Sequence, residues 1–245
     1  MKTPSSLFVV SLIATSTLFA QSPAPAPAST TGKPLTVSGW TVIGDKTNTF
    51  GPKEESGTIT FAGPGFGDKG KNEAAFFPKT ELAPGDSLEF RSKVTFTGVS
   101  GIGNFRFGIY QKRSKDHNRG WMGYTAFAGI DKKYPKGGLF TPDPNSESGY
   151  DSATPNAIGQ SIVSLKNIKD GTYILTIKVT RTVAAIECTS TMAPDTEPEA
   201  YVVEYSATDA SPLTTSFDAI GFSTHQVLSA DSITFSDVSL KLTHF

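Results

Sequence analysis

The chain has 245 residues, of which 18% are charged and 37% are hydrophobic, and its formal net charge at pH 7 is −1. This balance excludes a protein that binds nucleic acid through a strongly basic overall charge, so any electrostatic recognition must be local. Cys188 is the single cysteine, which excludes an intramolecular disulfide. We expect its thiol to be buried in a strand, because unpaired cysteines behave as small apolar residues.

The N-terminus has the pattern of a secretory signal peptide. Lys2 precedes a short apolar run, residues 7–14, that fades toward Ala20. The run is too short to anchor the chain in a bilayer, so residues 1–20 predict a signal peptide. A tract rich in Pro and Ala then predicts a linker over residues 21–34. We therefore expect a secreted or periplasmic protein with no membrane span.

Residues 35–245 predict one all-β domain, a two-sheet antiparallel β-sandwich of the jelly-roll type. Short alternating segments recur along this region, and clusters of Gly, Pro, Asn and Asp separate them. The predicted strands are residues 36–43, 57–62, 74–78, 87–97, 104–112, 121–128, 172–182, 184–190, 200–207, 216–223 and 232–243. A long irregular stretch, residues 129–161, breaks the pattern, and loops of that length are usually functional or poorly ordered.

Two consecutive predicted strands, residues 87–97 and 104–112, each separate an apolar face from a more polar, cationic one. The apolar positions are Leu88, Phe90, Val94, Phe96, Phe105, Phe107 and Ile109. The opposite positions are Glu89, Arg91, Lys93, Arg106, Tyr110 and Lys112. If the two strands are neighbours in one sheet, their polar faces form a water-facing surface that suits an extended acidic polysaccharide.

The predicted hairpin after residue 110 is the strongest candidate for a ligand contact. It carries four cations, a histidine and flanking aromatic residues: Tyr110, Lys112, Arg113, Lys115, His117, Arg119 and Trp121. Sugar rings stack on aromatic faces, and guanidinium groups bind carboxylates or sulfates through paired hydrogen bonds. The predicted ligand-binding residues are Arg91, Arg106, Tyr110, Lys112, Arg113, Arg119, Trp121 and Tyr124. The alternative is a solvated charged turn with Trp121 packed in the core.

Three segments resemble strands of the concanavalin A-like (laminin-G-like) jelly rolls. They are Phe105–Tyr110, Phe217–Phe222 and Ala230–Leu240. The resemblance is at the level of the superfamily and covers most of residues 35–245. It implies two curved antiparallel sheets, with glycans commonly bound on the concave face. That superfamily includes lectins, glycosidases, lyases and adhesion modules, so the resemblance leaves the function open.

Two enzymatic alternatives remain open, although no catalytic residue is assigned. A polysaccharide lyase needs a cation beside the uronate and a Tyr or His that moves a proton, and Arg106, Tyr110 and His117 are of these types. A glycoside hydrolase needs two carboxylates at a set separation. The only such run, residues 195–199, contains a proline and predicts a turn between strands.

The long loop also carries oxygen ligands that suit calcium: Asp143, Asn145, Glu147 and Asp151. Ser148 and Thr154 stand where a calcium loop has its tight-turn glycine and its bidentate acid. We therefore assign no metal and no cofactor, and calcium stays an open alternative.

The leading interpretation is an exported, monomeric jelly-roll domain that binds carbohydrate, with an acidic polysaccharide as the partner. The alternatives are a polysaccharide lyase or glycoside hydrolase on the same fold, and a structural or adhesion module that contacts another protein.

Overall fold

The computed structural model describes residues 32–43, 53–55, 58–66, 72–101, 103–115, 118–129, 138–147, 149–151, 156–226 and 228–245. The expected signal peptide, residues 1–20, and all but the last residues of the expected linker lie outside these ranges. In the described part of the chain, no helix is long and apolar enough to cross a membrane.

The described residues form β-strands and one short turn of 3-10 helix at Gly149–Asp151. The strands are β1 (Lys33–Leu35), β2 (Ser38–Ile43), β3 (Lys53–Glu55), β4 (Thr58–Phe66), β5 (Asn72–Glu81), β6 (Ser87–Thr97), β7 (Gly103–Lys112), β8 (Trp121–Ala128), β9 (Gly138–Thr141), β10 (Asn156–Gly159), β11 (Gly171–Arg181), β12 (Ile186–Pro194), β13 (Val203–Asp209), β14 (Ser216–Gln226) and β15 (Ala230–Thr243).

The strands build two antiparallel sheets that pack into a sandwich. One is eight-stranded, in the order β13-β12-β11-β6-β15-β4-β3, with β1 also paired to β15. The other is seven-stranded, in the order β10-β9-β8-β7-β14-β5-β2. The prediction of an all-β, two-sheet antiparallel sandwich is confirmed.

The bounds of β6 and β8 are those that the sequence predicts. Both are continuous strands between sharp turns, so the residues at which they begin and end can be predicted from the residue pattern. β9 and β10 lie inside the stretch that was expected to be irregular. Each has only four residues, and a segment that short carries too little periodicity to be recognised. Among the described residues, the first paired strand is β1, which begins at Lys33, two residues before the expected start of the sandwich.

β6 and β7 lie in different sheets, so the condition under which their polar faces would form one surface is not met. β6 pairs with β11 and β15, whereas β7 pairs with β8 and β14. Their apolar faces meet across the core, and their polar faces therefore point to opposite sides of the sandwich. Alternation shows which face of a strand is buried but does not specify its partner.

The core lies between the two sheets and contains every apolar position predicted for β6 and β7. None of these side chains is more than 3% exposed. Phe105 is central, because its ring packs edge-on against Phe96 with centroids 5.1 Å apart and also contacts Phe222 at 5.8 Å. Cys188 is buried, as predicted. Burial raises the pKa of its thiol, with a smaller contribution from the carboxylate of Asp209, so the thiol stays protonated.

Replacing Phe105 with alanine should lower the free energy of unfolding by about 3–5 kcal/mol, because the change removes a fully buried ring and leaves a cavity. Phe245→Ala is the matched control, since the Phe245 side chain is 76% exposed and its loss should change stability by less than about 0.5 kcal/mol. Urea unfolding followed by tryptophan fluorescence measures both. Equal effects would contradict the assigned core.

Candidate functional site

Arg106, Tyr110 and Lys112 share the outer face of the seven-stranded sheet, in agreement with their alternation along β7. This face is largely covered, however. Arg106 is 1% exposed and Tyr110 is fully buried, whereas Lys112 is only partly buried. The prediction of a water-facing surface is therefore wrong for Arg106 and Tyr110.

Tyr150, from the 3-10 turn, covers the centre of this outer face. Its ring stacks on Tyr110 at a centroid distance of 4.6 Å and meets Trp121 edge-on at 4.9 Å. Its hydroxyl is within hydrogen-bonding range of two backbone carbonyl oxygens, those of Glu73 and Phe222. Tyr110, Trp121 and Tyr150 form what we call the aromatic cluster. Since their ring faces pack against each other, they offer no free face for a sugar in this structure.

Arg106 lies nearer the start of β7 than Tyr110, and its side chain is packed against neighbouring residues. Its Nε donates a hydrogen bond of 2.7 Å to Asn104 Oδ1. Its guanidinium carbon lies 4.0 Å from the centroid of the Phe127 ring, a cation–π contact between two buried side chains. These contacts explain how a cation can be buried here, and they leave Arg106 no exposed surface for a ligand.

Two other predicted residues lie elsewhere. Tyr124 points into the core, where its hydroxyl donates to Asp209 Oδ2 at 3.0 Å. Burial, reinforced by that carboxylate, raises the pKa of Tyr124 and keeps the hydroxyl protonated. Arg91 is exposed on β6, in the eight-stranded sheet. The eight predicted ligand-binding residues therefore do not share one surface.

The structure does bring Lys112, Arg113 and Arg119 together at the end of the seven-stranded sheet. Lys112 Nζ lies 5.1 Å from the Trp121 ring centroid and donates to the carbonyl oxygen of Arg119. Arg113 and Arg119 are exposed, and Arg119 forms an ion pair with the exposed carboxylate of Glu147. This surface, made of Lys112, Arg113 and Arg119, is called the hairpin surface below.

Lys79 and Asp218 adjoin the hairpin surface and were not predicted. Asp218 sits in a bulge where β14 pairs with β5, and its Oδ1 accepts a hydrogen bond of 2.8 Å from Lys112 N. Burial raises the pKa of Asp218, and this outweighs the hydrogen bond from Lys112 and the nearby charges of Lys79 and Lys112, which lower it. An irregular pairing of this kind leaves no periodic signal in the sequence.

The side chains considered for catalysis are not assembled into a site by the described residues. Arg106 and Tyr110 are buried, and the hydroxyl of Tyr110 shares a hydrogen bond of 2.9 Å with Thr125. His117 lies outside the described residues. The acidic run at 195–199 forms the turn between β12 and β13, as predicted. In that turn, Asp195 forms an ion pair with Lys93 at 3.3 Å.

Two of the four candidate calcium ligands, Asp143 and Glu147, have side chains that are engaged in local contacts. Asp143 Oδ1 accepts a hydrogen bond of 2.9 Å from Asn145 N, which closes a turn, and Glu147 pairs with Arg119. The side chain of Asp151 is outside the described part. Across the described residues, no group of three or more His, Cys, Asp and Glu side chains is placed to hold a metal ion.

The fold is similar to that of solved carbohydrate recognition domains. The carbohydrate recognition domain of Emp46p, in a point-mutant form, is 15% identical and superposes with a TM-score of 0.51, covering 83% of this chain and 87% of that one. This fold is a concanavalin A-like jelly roll. The resemblance seen in the sequence is thereby confirmed at the level of architecture.

Two further structures are similar at lower scores. The exoplasmic/lumenal domain of VIP36, bound to Ca²⁺ and Man3GlcNAc, is 12% identical with a TM-score of 0.49, covering 84% of each chain. A legume lectin-like domain from Entamoeba histolytica is 13% identical with a TM-score of 0.49, covering 84% of this chain and 90% of that one. No protein-family model and no curated protein matches the sequence.

Gly221 lets Tyr150 approach the sheet, so Gly221→Ala should destabilise the protein. An added Cβ would lie 2.8 Å from Tyr150 Cζ and 3.0 Å from the Glu73 carbonyl oxygen. We expect a loss of about 1–3 kcal/mol from overpacking. In a Tyr150→Ala background the same change should cost less, because one of the two clashes is gone. A double-mutant cycle by urea unfolding tests this, and an equal cost in both backgrounds would contradict the packing of Tyr150 on Gly221.

Replacing Asp218 with asparagine should change the pH dependence of stability. The folded-state pKa of Asp218 is raised above its ordinary value of 3.8. The contribution of Asp218 to stability is therefore most favourable below pH 3.8, and it is lost as the pH rises through the folded-state pKa. The asparagine side chain would keep an acceptor for Lys112 N without ionising. The free energy of unfolding of D218N relative to the natural protein should therefore increase from about pH 4 to pH 7. A constant difference across that range would contradict this account.

Proposed function

We propose that the protein is an exported carbohydrate-binding domain, secreted or periplasmic, that binds an acidic polysaccharide through the hairpin surface. The observation that carries the proposal is the grouping of Lys112, Arg113 and Arg119 at one end of a lectin-like sandwich. Emp46p, whose carbohydrate recognition domain has this fold, supports the carbohydrate class of ligand.

The hairpin surface is held in place before any ligand arrives. Arg113 N donates to the Gly120 carbonyl oxygen at 2.9 Å, which closes the hairpin. Gly120 N donates to the Pro144 carbonyl oxygen at 2.8 Å, which ties the hairpin to the loop after β9. Lys112 N is fixed by Asp218. A surface whose backbone is already ordered loses less entropy on binding, so more of the contact energy appears as affinity.

The hairpin surface can bind a glycan through charged groups rather than by stacking of sugar rings on aromatic rings. The aromatic cluster is buried, so it offers a neutral glycan no ring to stack on. The exposed guanidinium groups, in contrast, can bind carboxylates or sulfates with paired hydrogen bonds. Glu147 and Asp218 offset part of the positive charge locally. Binding of this kind weakens with added salt, because exposed charges are screened over about 10 Å at 0.1 M ionic strength.

A glycan array tests the proposal with the double variant Arg113→Ala/Arg119→Ala. We expect signal on uronate-containing or sulfated glycans, and a roughly tenfold or greater loss in the double variant, because two charge-assisted contacts disappear. Arg91→Ala is the matched control, since Arg91 is also an exposed arginine but lies on the opposite sheet. It should leave the signal unchanged. Running the array with and without calcium shows whether the ion contributes.

Other outcomes of the array would overturn the proposal in distinct ways. The absence of any binding signal on the array, with the protein shown to be folded, would favour an adhesion module that contacts another protein. A loss confined to Arg91→Ala would move recognition to the eight-stranded sheet. If the bound glycan is cleaved, an ultraviolet-absorbing unsaturated end would indicate a lyase, and new reducing ends without it would indicate a hydrolase.

A further inference from the structure

A groove of about 460 Å³ lies between two loops of the eight-stranded sheet. One loop precedes β11 and contributes Lys166, Asn167 and Lys169. The other joins β12 to β13 and contributes Glu197. None of these residues was predicted to bind a ligand, and Glu197 was considered only as a possible catalytic acid.

The groove is at the opposite end of the sandwich from the hairpin surface. Leu82 N donates to the Thr215 carbonyl oxygen and Gly85 N to the Arg181 carbonyl oxygen, so the end of β11 and the start of β14 lie at the same end. The hairpin surface is at that end, through the contact of Lys112 with Asp218. The groove is at the start of β11, and an 11-residue strand is about 30–35 Å long.

The walls of the groove are fixed by hydrogen bonds. The hydroxyl of Tyr173 accepts from Lys169 N at 3.2 Å and donates to the Lys169 carbonyl oxygen at 3.1 Å. On the other side, Ala200 N donates to the Glu197 carbonyl oxygen at 2.9 Å. Asp195 N joins the two walls by donating to the Thr172 carbonyl oxygen at 2.9 Å. The cleft is therefore formed without a ligand.

Its lining combines an apolar floor with a charged rim. Tyr173 and Val202 are 6% and 4% exposed and form part of the floor. Lys166 and Lys169 are exposed on the rim, and within the described residues neither ammonium group lies in an ion pair. Two cations that face one cleft attract an anionic group. The amide of Asn167 and the carboxylate of Glu197 can accept hydrogen bonds from hydroxyl groups.

We propose that this groove binds a single acidic sugar unit, with the sugar carboxylate at Lys166 and Lys169 and its hydroxyls at Asn167 and Glu197. The apolar floor receives the C–H face of the ring. The ligand class assigned to the groove rests on the proposed carbohydrate function, but the groove uses none of the residues of the hairpin surface. Two separate sites at opposite ends make the domain bivalent, so it joins two segments of an acidic polysaccharide and gains avidity.

The test is a titration of the isotope-labelled protein with sodium glucuronate, followed by amide chemical shifts in two-dimensional NMR. Glucose and sodium acetate are titrated in parallel. Glucuronate differs from glucose only at C6, where a carboxylate replaces the hydroxymethyl group, and acetate supplies a carboxylate without the sugar ring. We expect shifts at Asn167, Lys169 and Val202 with glucuronate, and at least about tenfold weaker binding of glucose and acetate. K166Q/K169Q should weaken glucuronate binding by a similar factor. Lys241→Gln, an exposed lysine outside both sites, should have no effect.

The variant Arg113→Ala/Arg119→Ala, titrated alongside, separates the two proposals, since it should keep the groove shifts in full. Acetate shifts equal to those of glucuronate would show a site for small anions only and would overturn the proposal. Unmoved groove amides, or a glucuronate affinity that K166Q/K169Q leaves unchanged, would do the same, whatever the glycan array shows for the hairpin surface.

Discussion

The packing of Tyr150 against the outer face of the seven-stranded sheet is the contact on which the arrangement of this surface depends. Its ring fills the space above Gly221, stacks on Tyr110 and contacts Trp121. The sheet is therefore buried on both faces at its centre: one face packs on the core, and the other packs under the loop that follows β9. Burial on both faces explains why β7, whose alternating sequence predicts one exposed face, contains a buried arginine, Arg106, and a buried tyrosine, Tyr110.

Once the centre of the sheet is covered, charged side chains can meet a ligand at the ends of the sandwich and on the outer face of the eight-stranded sheet. That outer face combines threonines, serines and charges of both signs, as in the pair of Lys93 with Asp195, and so has no strong local potential. The ends differ, because each proposed site has its cations close together along the chain: Lys112, Arg113 and Arg119 at the end of β7 and in its connection to β8, and Lys166 and Lys169 before β11. This is why both proposed binding sites lie at the ends, and why they are about a strand length apart.

The strands of the fold could be predicted from the sequence to a useful degree, and the site only in part. Strict alternation located β6, and the predicted bounds of β8 also agree with the structure. The choice of sheet was not predictable, because β6 and β7 carry the same pattern and are joined by a short connection. Nevertheless, β6 pairs with β11 and β15, whereas β7 pairs with β8 and β14. Arg106 was misjudged for a related reason: an arginine that alternates out of a core indicates an exposed position unless a distant segment covers it.

By itself, the sequence determined the class of the fold, the inner face of the central strands and the buried state of Cys188. These depend on local periodicity and on the strong preference of apolar side chains for the interior. The tertiary structure alone decided which strands are neighbours, that Tyr150 covers Tyr110 and Trp121, and that Lys166, Lys169 and Glu197 line one groove. These are contacts between residues distant along the chain, and they follow from how two sheets and their loops pack in space, which no local pattern encodes.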